Sequence, residues 1–420
     1  MDGEQKRVLL INPNRYKDPP VPPLGLEYLA DALLRADCSV ETLDLCFSRD
    51  PMGDIEETLG FFRPDVVGVT VRNVDSALFQ NNEFFLPEIK WVIDKINTLT
   101  ASPVIIGGAG LLADPQGITD YLGADIAVVG PGERTLPLLV ADAHLLKGSG
   151  RVVRGVLPGT FCPARGRAID YTAYADKGGI PGFETHKGCT SRCAYCIEAE
   201  TAVSFREPRD VVCELRQVIE RGFTSFHLCD AEFNEDLDYC HELLEALVKE
   251  QLGMSWALYM KPANYNRQLF KQLRQSGAYL VTLSVDTFEK CPQYWEDVER
   301  MIFISKSAGI RISIDLLTGF PHETEDDLKD VLDLFRRTQP DEVVVNIFIR
   351  LYARARMRAI VDGDPRLSPH LIKRDGGQGG SLYPVFYNHV RLERLQELLA
   401  GDVRFRIAGL ERGVNYQRAL

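Results

Sequence analysis

The sequence contains no apolar run long enough to cross a bilayer, and its first residues lack the apolar core of a signal peptide. Basic side chains are also in deficit, because 48 lysines and arginines face 60 aspartates and glutamates and leave a formal charge of −12. A protein that binds nucleic acid non-specifically would carry the opposite excess. These absences predict a cytoplasmic protein that binds neither membrane nor nucleic acid. With 420 residues, the chain is long enough for more than one domain.

The first 147 residues lack a dinucleotide fingerprint, because no G-x-G-x-x-G follows the first predicted strand. They do alternate β-branched runs with amphipathic helical patterns, which predicts an α/β domain with a doubly wound parallel sheet. Such sheets bind ligands beyond the carboxyl ends of their strands. Glycine-rich loops lie there, and tight strand-to-helix turns would explain them as well as a ligand would. The glycines in question are Gly107, Gly108, Gly130 and Gly132.

Three of the ten cysteines, Cys189, Cys193 and Cys196, have the spacing C-x3-C-x2-C. Iron–sulfur clusters are held by thiolates at such short, fixed spacings. A structural zinc site would need a fourth ligand nearby, and the next cysteine, Cys213, lies within a predicted helix. The motif therefore favours a cluster over closed zinc or over three unrelated structural cysteines. The cysteines as a whole indicate a reducing compartment rather than a disulfide framework.

A second alternation of strands and helices predicts a partial (β/α)6 barrel over residues 183–355, with its chemistry at the carboxyl ends of the strands. Residues 148–182 are rich in glycine and proline and predict a linker. Residues 356–420 predict a short C-terminal helical segment. Thr324 and Asp327 form a predicted capping pair at the start of one barrel helix.

The chain resembles radical SAM enzymes with an N-terminal cobalamin-binding-type domain. The resemblance rests on the cysteine motif and on the phrases at residues 22–30, 130–136, 230–234 and 317–324. The chain also departs from that family, because it has no D-x-H-x-x-G, the motif whose histidine is the usual lower cobalt ligand. The resemblance therefore implies the fold, while bound cobalamin stays open.

The resemblance implies that the three cysteines bind a 4Fe–4S cluster and that S-adenosylmethionine (SAM) chelates its fourth iron. Reductive cleavage would then give a 5′-deoxyadenosyl radical that abstracts hydrogen from a small molecule, with electrons from a flavodoxin- or ferredoxin-type donor or a partner reductase. The residues that would contact SAM are Tyr195, Asp230, Glu232, Ser284, Asp286, Leu317, Gly319 and Arg350. The candidate general acids or bases are Tyr259, Lys261 and Asp315.

Two reactions compete for this layout. One is dehydration or deoxygenation of an aminosugar or aminoglycoside in antibiotic biosynthesis, by similarity to the radical SAM dehydratase of the apramycin pathway, which acts on paromamine. The other is methylation of a small metabolite by a cobalamin-dependent radical SAM methyltransferase. The missing histidine motif and the short stretch after the barrel favour the dehydratase, and an acidic chain would suit a cationic aminosugar. A non-catalytic sensor finds no support, because no DNA-binding pattern is present.

Overall fold

The computed structural model describes residues 5–142, 145–146, 150–157, 160–373 and 382–410. Two parallel sheets, each flanked by helices, dominate these ranges, and two small antiparallel sheets accompany them. This confirms the predicted class, a doubly wound α/β domain followed by a partial radical SAM barrel. None of the helices in these ranges is long and apolar enough to span a membrane.

The first sheet has six parallel strands in the order β2-β1-β3-β4-β5-β6. Most residues of the central strands β1, β3, β4 and β5 are buried because helices cover both faces of the sheet, whereas the edge strands β2 and β6 are more exposed. The strand order reverses between β1 and β3, so the loops beside this switch point form the ligand-binding edge expected of such folds. The strands are β1 (Arg7–Asn12), β2 (Ser39–Asp44), β3 (Val66–Thr70), β4 (Val104–Gly107), β5 (Ile126–Val129) and β6 (Arg151–Arg154).

Two helices of the first domain, α2 and α4, begin at an aspartate whose side chain caps a free backbone amide. Asp50 accepts a hydrogen bond from the amide of Gly53, and Asp114 accepts one from the amide of Gly117, each with a donor–acceptor distance of 3.1 Å. The helices are α1 (Leu24–Arg35), α2 (Pro51–Phe62), α3 (Leu86–Leu99), α4 (Pro115–Leu122) and α5 (Thr135–Ala141), with a 3₁₀ turn at Ala109–Ala113. Strand β6 lies beyond residue 147, so the first sheet continues into the predicted linker.

The linker is packed between the domains and contains the short helix α6 (Tyr171–Ala175). Its Arg165 is 1% exposed and forms ion pairs with Glu27 of α1, at 2.8 Å, and with Glu214 of helix α7 (Pro208–Glu220). A disulfide also joins Cys162 of the linker to Cys213 of α7, which departs from the expected reduced set. The other eight cysteines are free.

The second sheet has the order β18-β14-β13-β12-β11-β10-β7, in which the first six strands of the barrel follow one another in sequence. The barrel strands are β7 (Gly182–Phe183), β10 (Ser225–Leu228), β11 (Ser255–Met260), β12 (Ala278–Asp286), β13 (Arg311–Leu317) and β14 (Glu342–Asn346). The helices between them are α7, α8 (Leu237–Glu250), α9 (Arg267–Gln275), α10 (Pro292–Ser307) and α11 (Glu325–Thr338). Thr324 and Asp327 form the predicted capping box at the start of α11.

The alternating pattern that begins the predicted barrel predicts one strand over residues 183–186. In the structure this stretch is divided between two strands. Gly182–Phe183 joins the barrel sheet as β7, whereas the next residues form an antiparallel hairpin of β8 (His186–Cys189) and β9 (Thr201–Phe205). A pattern of alternating residues cannot distinguish one strand from two short ones that belong to different sheets. The hairpin places the three motif cysteines at the carboxyl end of the barrel.

The C-terminal segment holds more strand than the predicted helical segment. Strands β15 (Ile349–Arg350), β16 (Leu371–Lys373) and β17 (Val385–Tyr387) form an antiparallel sheet, and β18 (Phe405–Ile407) pairs in parallel with β14. Helices α12 (Arg356–Gly363) and α13 (Leu392–Leu399) separate them. Residues 374–381 and 411–420 of the predicted segment lie outside the described residues.

Candidate functional site

The three motif cysteines lie in residues 189–197, hereafter the cluster loop. Gly188 precedes the loop with φ +91°, and a Cβ there would lie 2.2 Å from the carbonyl oxygen of Ala202, so the hairpin accepts only glycine at this turn. Burial raises the pKa of Cys189 to about 11 and that of Cys196 to about 12. The neighbouring thiolates of Cys193 and Cys189 raise the pKa of Cys196 further.

The donor set fits an iron–sulfur cluster better than a closed zinc site. Within the described ranges, no three Cys, His, Asp or Glu side chains converge as ligands of a single metal ion do. Three thiolates that each bind a different iron of a cubane need not converge. The fourth thiolate that a structural zinc ion would want is not supplied by Cys213, because it is bound to Cys162.

Asp230, a predicted SAM residue, is used to hold the strand that leads into the cluster loop. Its carboxylate is buried and accepts hydrogen bonds from the Thr185 amide, at 2.8 Å, and from the Thr185 hydroxyl. The ring of His186 lies 3.2 Å from the same carboxylate, which raises the pKa of His186 against the opposing effect of burial. The structure thus favours an anchoring role for Asp230 over contact with the methionine amine.

Glu235 anchors the cluster loop, and sequence reasoning missed it. Its carboxylate accepts from the Thr190 hydroxyl at 2.6 Å and pairs with the Lys261 ammonium at 2.9 Å. Despite burial, these hydrogen bonds lower the pKa of Glu235. Lys261, predicted as a general acid or base, is therefore engaged in this ion pair beside Cys189. The only sequence signal for Glu235 was its place in the run of polar residues after β10.

Glu232, Ser284 and Asp315 lie together at the end of the barrel that faces the cluster loop. Ser284 of β12 is in register with Asp315 of β13. Burial raises the pKa of Glu232 to about 8, while its hydrogen bond with Ser284 works in the opposite direction. Oε2 of Glu232 is buried and has no hydrogen-bond partner. Of the predicted carboxylates, Glu232 is therefore the one with acceptor capacity left for a cation.

Asp286 and Tyr195 lie near Cys193. Asp286 is buried and paired with Lys290 at 2.8 Å, and burial raises its pKa. Its ionised form would raise the pKa of Cys193 and of Tyr195, so both lie near it. The Tyr195 ring packs against Phe320 with centroids 5.8 Å apart. The Tyr195 ring thus contributes to the packing of the cluster loop. Its contact with adenine stays a prediction.

The turn after β13 is held by Glu323, another residue that the sequence did not reveal. Its Oε2 accepts from the amides of Gly319, at 2.7 Å, and Phe320, at 3.0 Å. Gly319 has φ +85°, which glycine adopts without strain. Leu317, at the end of β13, is half-buried and leaves apolar surface beside this turn. This arrangement suits the predicted adenine contact, which nothing in the structure tests.

The remaining two predicted residues have contrasting surroundings. Tyr259 is half-buried on β11, and its ring meets the ring of His227 with centroids 5.8 Å apart. Burial, with the charge of Arg72, lowers the pKa of His227 to about 4. Arg350 is buried and its guanidinium pairs with Asp75 at 2.8 Å. The structure therefore does not favour the predicted pairing of Arg350 with the SAM carboxylate.

The glycine loops of the first domain have a structural reason of their own. Gly108 has φ +115°, and a Cβ there would lie 2.5 Å from the carbonyl oxygen of Val71, the residue after β3. Gly130 has φ +92°, and Gly132 packs against Leu29. Both loops nevertheless leave a backbone edge without side chains, which is what a large planar ligand needs for close approach.

This edge of the first domain faces the barrel. Arg72, after β3, is close enough to shift the pKa of both His227 and Cys229 on the barrel side. Glu133, after β5, raises the pKa of Lys187 next to the cluster loop, and its own Oε2 is buried without a hydrogen-bond partner. The Cys229 thiol is exposed. The residues present thus fit cofactors held between the two domains.

Comparison with known proteins agrees with this two-part arrangement. Residues 18–140 match the model of the B12 binding domain, and residues 183–335 match that of the radical SAM superfamily. Tryptophan 2-C-methyltransferase of Streptomyces laurentii is 25% identical over 419 aligned positions, covering 78% of this chain and 69% of the relative. Cytidylyl-2-hydroxyethylphosphonate methyltransferase of Streptomyces wedmorensis is 23% identical, covering 75% of this chain and 73% of the relative.

Solved structures show the same fold over nearly the whole chain. The radical S-adenosylmethionine methyltransferase TsrM from Kitasatospora setae, with cobalamin and a [4Fe-4S] cluster bound, superposes with a TM-score of 0.86 at 23% identity. That match covers 97% of this chain and 94% of the other. A TsrM structure with tryptophan and the SAM analogue aza-SAM gives 0.85 at 25% identity, covering 94% and 88%. The expected similarity to the apramycin-pathway dehydratase is not shown by these matches.

The cysteine motif and Glu232 lie in the matched radical SAM region, and the glycine loops lie in the matched B12 region. The predicted 4Fe–4S cluster and SAM are confirmed at the level of the domains, and cobalamin, which the sequence left open, is supported by the first domain. The chain therefore consists of a B12 binding domain followed by a radical SAM superfamily domain, whose cofactors are cobalamin and a 4Fe–4S cluster with S-adenosylmethionine.

Proposed function

We propose that the protein is a cobalamin-dependent radical SAM methyltransferase that acts on a small molecule. The observation that carries the proposal is the placement of the two domains, because the ligand edge of the first meets the cluster-loop side of the second through the ion pair between Asp75 and Arg350 and through the packing of Ile197 on the first domain's core. A direct radical dehydratase would not need a second ligand edge there. The missing D-x-H-x-x-G motif bears on the lower cobalt ligand and does not remove this edge.

When bound, the cofactors supply the methyl group, its carrier and the electrons. The chain's own residues bind and orient them. Cys189, Cys193 and Cys196 would hold the cluster, and Glu232 with Ser284 would accept hydrogen bonds from the methionine ammonium of SAM, since charge-assisted hydrogen bonds are the strong ones. An ammonium nearby would lower the pKa of Glu232 and keep it ionised.

The substrate would enter the space between the domains, near Tyr259 and Asp315. Both side chains are half-buried, on the barrel strands β11 and β13 that flank β12, and would take or give a proton there. The methyltransferases similar to this chain act on tryptophan and on a cytidylyl phosphonate by name, so their substrates share no skeleton. We propose a small polar metabolite as the class, with an external protein as electron donor.

The preference for dehydration of an aminosugar is not supported. Its main arguments were the absent histidine motif and the short C-terminal segment, whereas the proteins that the chain resembles over most of its length are methyltransferases by name. An acidic net charge is too general a property to select an aminoglycoside.

The test is anaerobic reconstitution with iron, sulfide and hydroxocobalamin, followed by turnover with SAM that carries a deuterated methyl group. Tryptophan and a panel of small polar metabolites serve as acceptors, and mass spectrometry follows the label. We expect transfer of the labelled methyl group that requires cobalamin. Turnover that is independent of cobalamin and forms one 5′-deoxyadenosine per unmethylated product would contradict the proposal.

A further inference from the structure

The ion pair between Asp75 and Arg350 joins the two domains beside the cluster loop. Asp75 lies in the loop after β3, at the ligand edge of the first domain, and Arg350 lies on β15 of the C-terminal segment. The Asp75 side chain is 0% exposed and the Arg350 side chain 8% exposed. Nε of Arg350 donates a hydrogen bond to a carboxylate oxygen of Asp75 at 2.9 Å, and Nη2 lies 2.8 Å from the same oxygen. Such a desolvated pair is geometrically strict, because water cannot replace either partner.

Strand β15 connects this pair to the cluster loop through the alternation of its side chains. Ile349 and Leu351 point to one side, where they pack with Ala194 of the cluster loop. Arg350 points to the other side and reaches Asp75. The amide of Met357 also donates a hydrogen bond to the Ala194 carbonyl oxygen at 2.7 Å. The same segment is therefore hydrogen-bonded to the backbone of the cluster loop.

Arg350 makes a second contact in addition to its ion pair with Asp75. The Arg350 guanidinium lies 4.4 Å from the centre of the Tyr352 ring, a cation–π contact. Tyr352 and Ile197 both pack against the hydrophobic core of the first domain. Because Ile197 directly follows Cys196, the cluster loop itself touches that core.

We infer that Asp75 and Arg350 are positioning residues that hold the ligand edge of the B12 binding domain at a fixed separation from the cluster loop. The inference rests on the proposed methyl transfer, which requires groups bound at the two edges to approach one another. It also replaces the predicted role of Arg350 in binding the SAM carboxylate. Misplacement by about 1 Å at a reacting centre can cost about 100-fold in rate.

The experiment compares Asp75→Asn and Arg350→Gln, with Arg366→Gln as the control. Arg366 also pairs with an aspartate, Asp364 at 2.7 Å, but its side chain is 81% exposed. Pulsed EPR of the protein loaded with cob(II)alamin and a reduced cluster measures the separation of the two centres, and SAM affinity is measured separately. In both variants we expect a broader distribution of distances between the two centres and a roughly 100-fold slower turnover. SAM affinity, cluster content and cobalamin content should be unchanged. The control should match wild type.

The double variant Asp75→Asn with Arg350→Gln removes both charges together, so no unpaired charge remains buried and folding is preserved. We expect the double variant to keep the broader distribution of distances between the two centres. A return to the wild-type distances and rate would overturn the inference. Loss of SAM affinity in Arg350→Gln alone would also overturn it and restore the SAM-binding role. The EPR and affinity measurements need no turnover, so they remain decisive even if methyl transfer is not found.

Discussion

At the scale of single residues, the titration of Glu232 should make the free energy of unfolding depend on pH. Burial raises its pKa in the folded protein from 4.5 to about 8. Between these values the unfolded carboxyl group is ionised and the folded one is protonated, so the free energy of unfolding should fall as the pH rises from about 4.5 to about 8. The variant Glu232→Gln should lose this part of the pH dependence.

Urea unfolding of the iron-free protein across this pH range measures the effect. Glu296→Gln is the matched control, because it makes the same change at an exposed position on α10. If Glu232→Gln retains the slope of wild type, the carboxyl group of Glu232 is not the buried acid that the structure indicates.

The cluster cysteines give a second prediction at this scale. Cys193→Ala removes one of three thiolates that we expect to hold the cluster, and the remaining two cannot hold a cubane in place. Iron content, visible absorbance and SAM cleavage should all be lost. Cys291→Ala, which removes an exposed free thiol outside the motif, should retain all three. Retained SAM cleavage in Cys193→Ala would remove the basis for the radical SAM chemistry of this chain.

The sequence identified the cysteines because their spacing is local, but it could not rank the acidic residues near them. Asp230 and Glu232 both follow β10, two positions apart. Only the structure reveals that Asp230 is occupied by Thr185 and His186, while Glu232 keeps a free carboxylate oxygen. The partner of Arg350 was equally hidden, since Asp75 is 275 residues away in the chain. Partners of this kind depend on how the domains pack, which no local pattern encodes.

At the scale of elements, the linker is a structural part of the molecule rather than a spacer. Arg165→Met should lower the free energy of unfolding by about 3–5 kcal/mol, because it leaves the buried carboxylate of Glu27 without its cation and removes one of the two arginines, Arg165 and Arg206, that pair with Glu214. Arg167→Met changes the same residue type two positions later, at an exposed site, and should have little effect. Urea unfolding followed by circular dichroism measures both. Equal losses in the two variants would mean that the buried network does not hold the linker.

Elements with strong local signals were predictable, and those defined by distant partners were not. The capping pair of Thr324 and Asp327 was read from the sequence because it lies within one turn of α11. Strand β6 and the hairpin of β8 and β9 were missed, since their pairing is determined by neighbours far along the chain. Glycine and proline in the linker predicted irregular backbone but did not reveal its buried arginine.

At the scale of the whole molecule, two binding edges belong to separate sheets and should be separable by mutation. Gly108→Ala places a Cβ 2.5 Å from the Val71 carbonyl oxygen and strains a backbone with φ +115°. The loop after β4 must then move away from β3 and disturb the first domain's edge. We expect the variant to lose cobalamin after reconstitution with hydroxocobalamin and gel filtration, while the iron content and absorbance of the cluster remain.

The control for backbone strain is Gly123→Ala, which also has a positive φ, +69°, but no atom near the added Cβ. It should cost about 1 kcal/mol of stability and leave cobalamin binding intact. Equal cobalamin content in the two variants would show that the loop after β4 does not form the cobalamin site. Loss of both cofactors in Gly108→Ala would instead show that the two sheets fold as one unit, because the Asp75 and Arg350 contact would then transmit the distortion from β3 to the cluster loop.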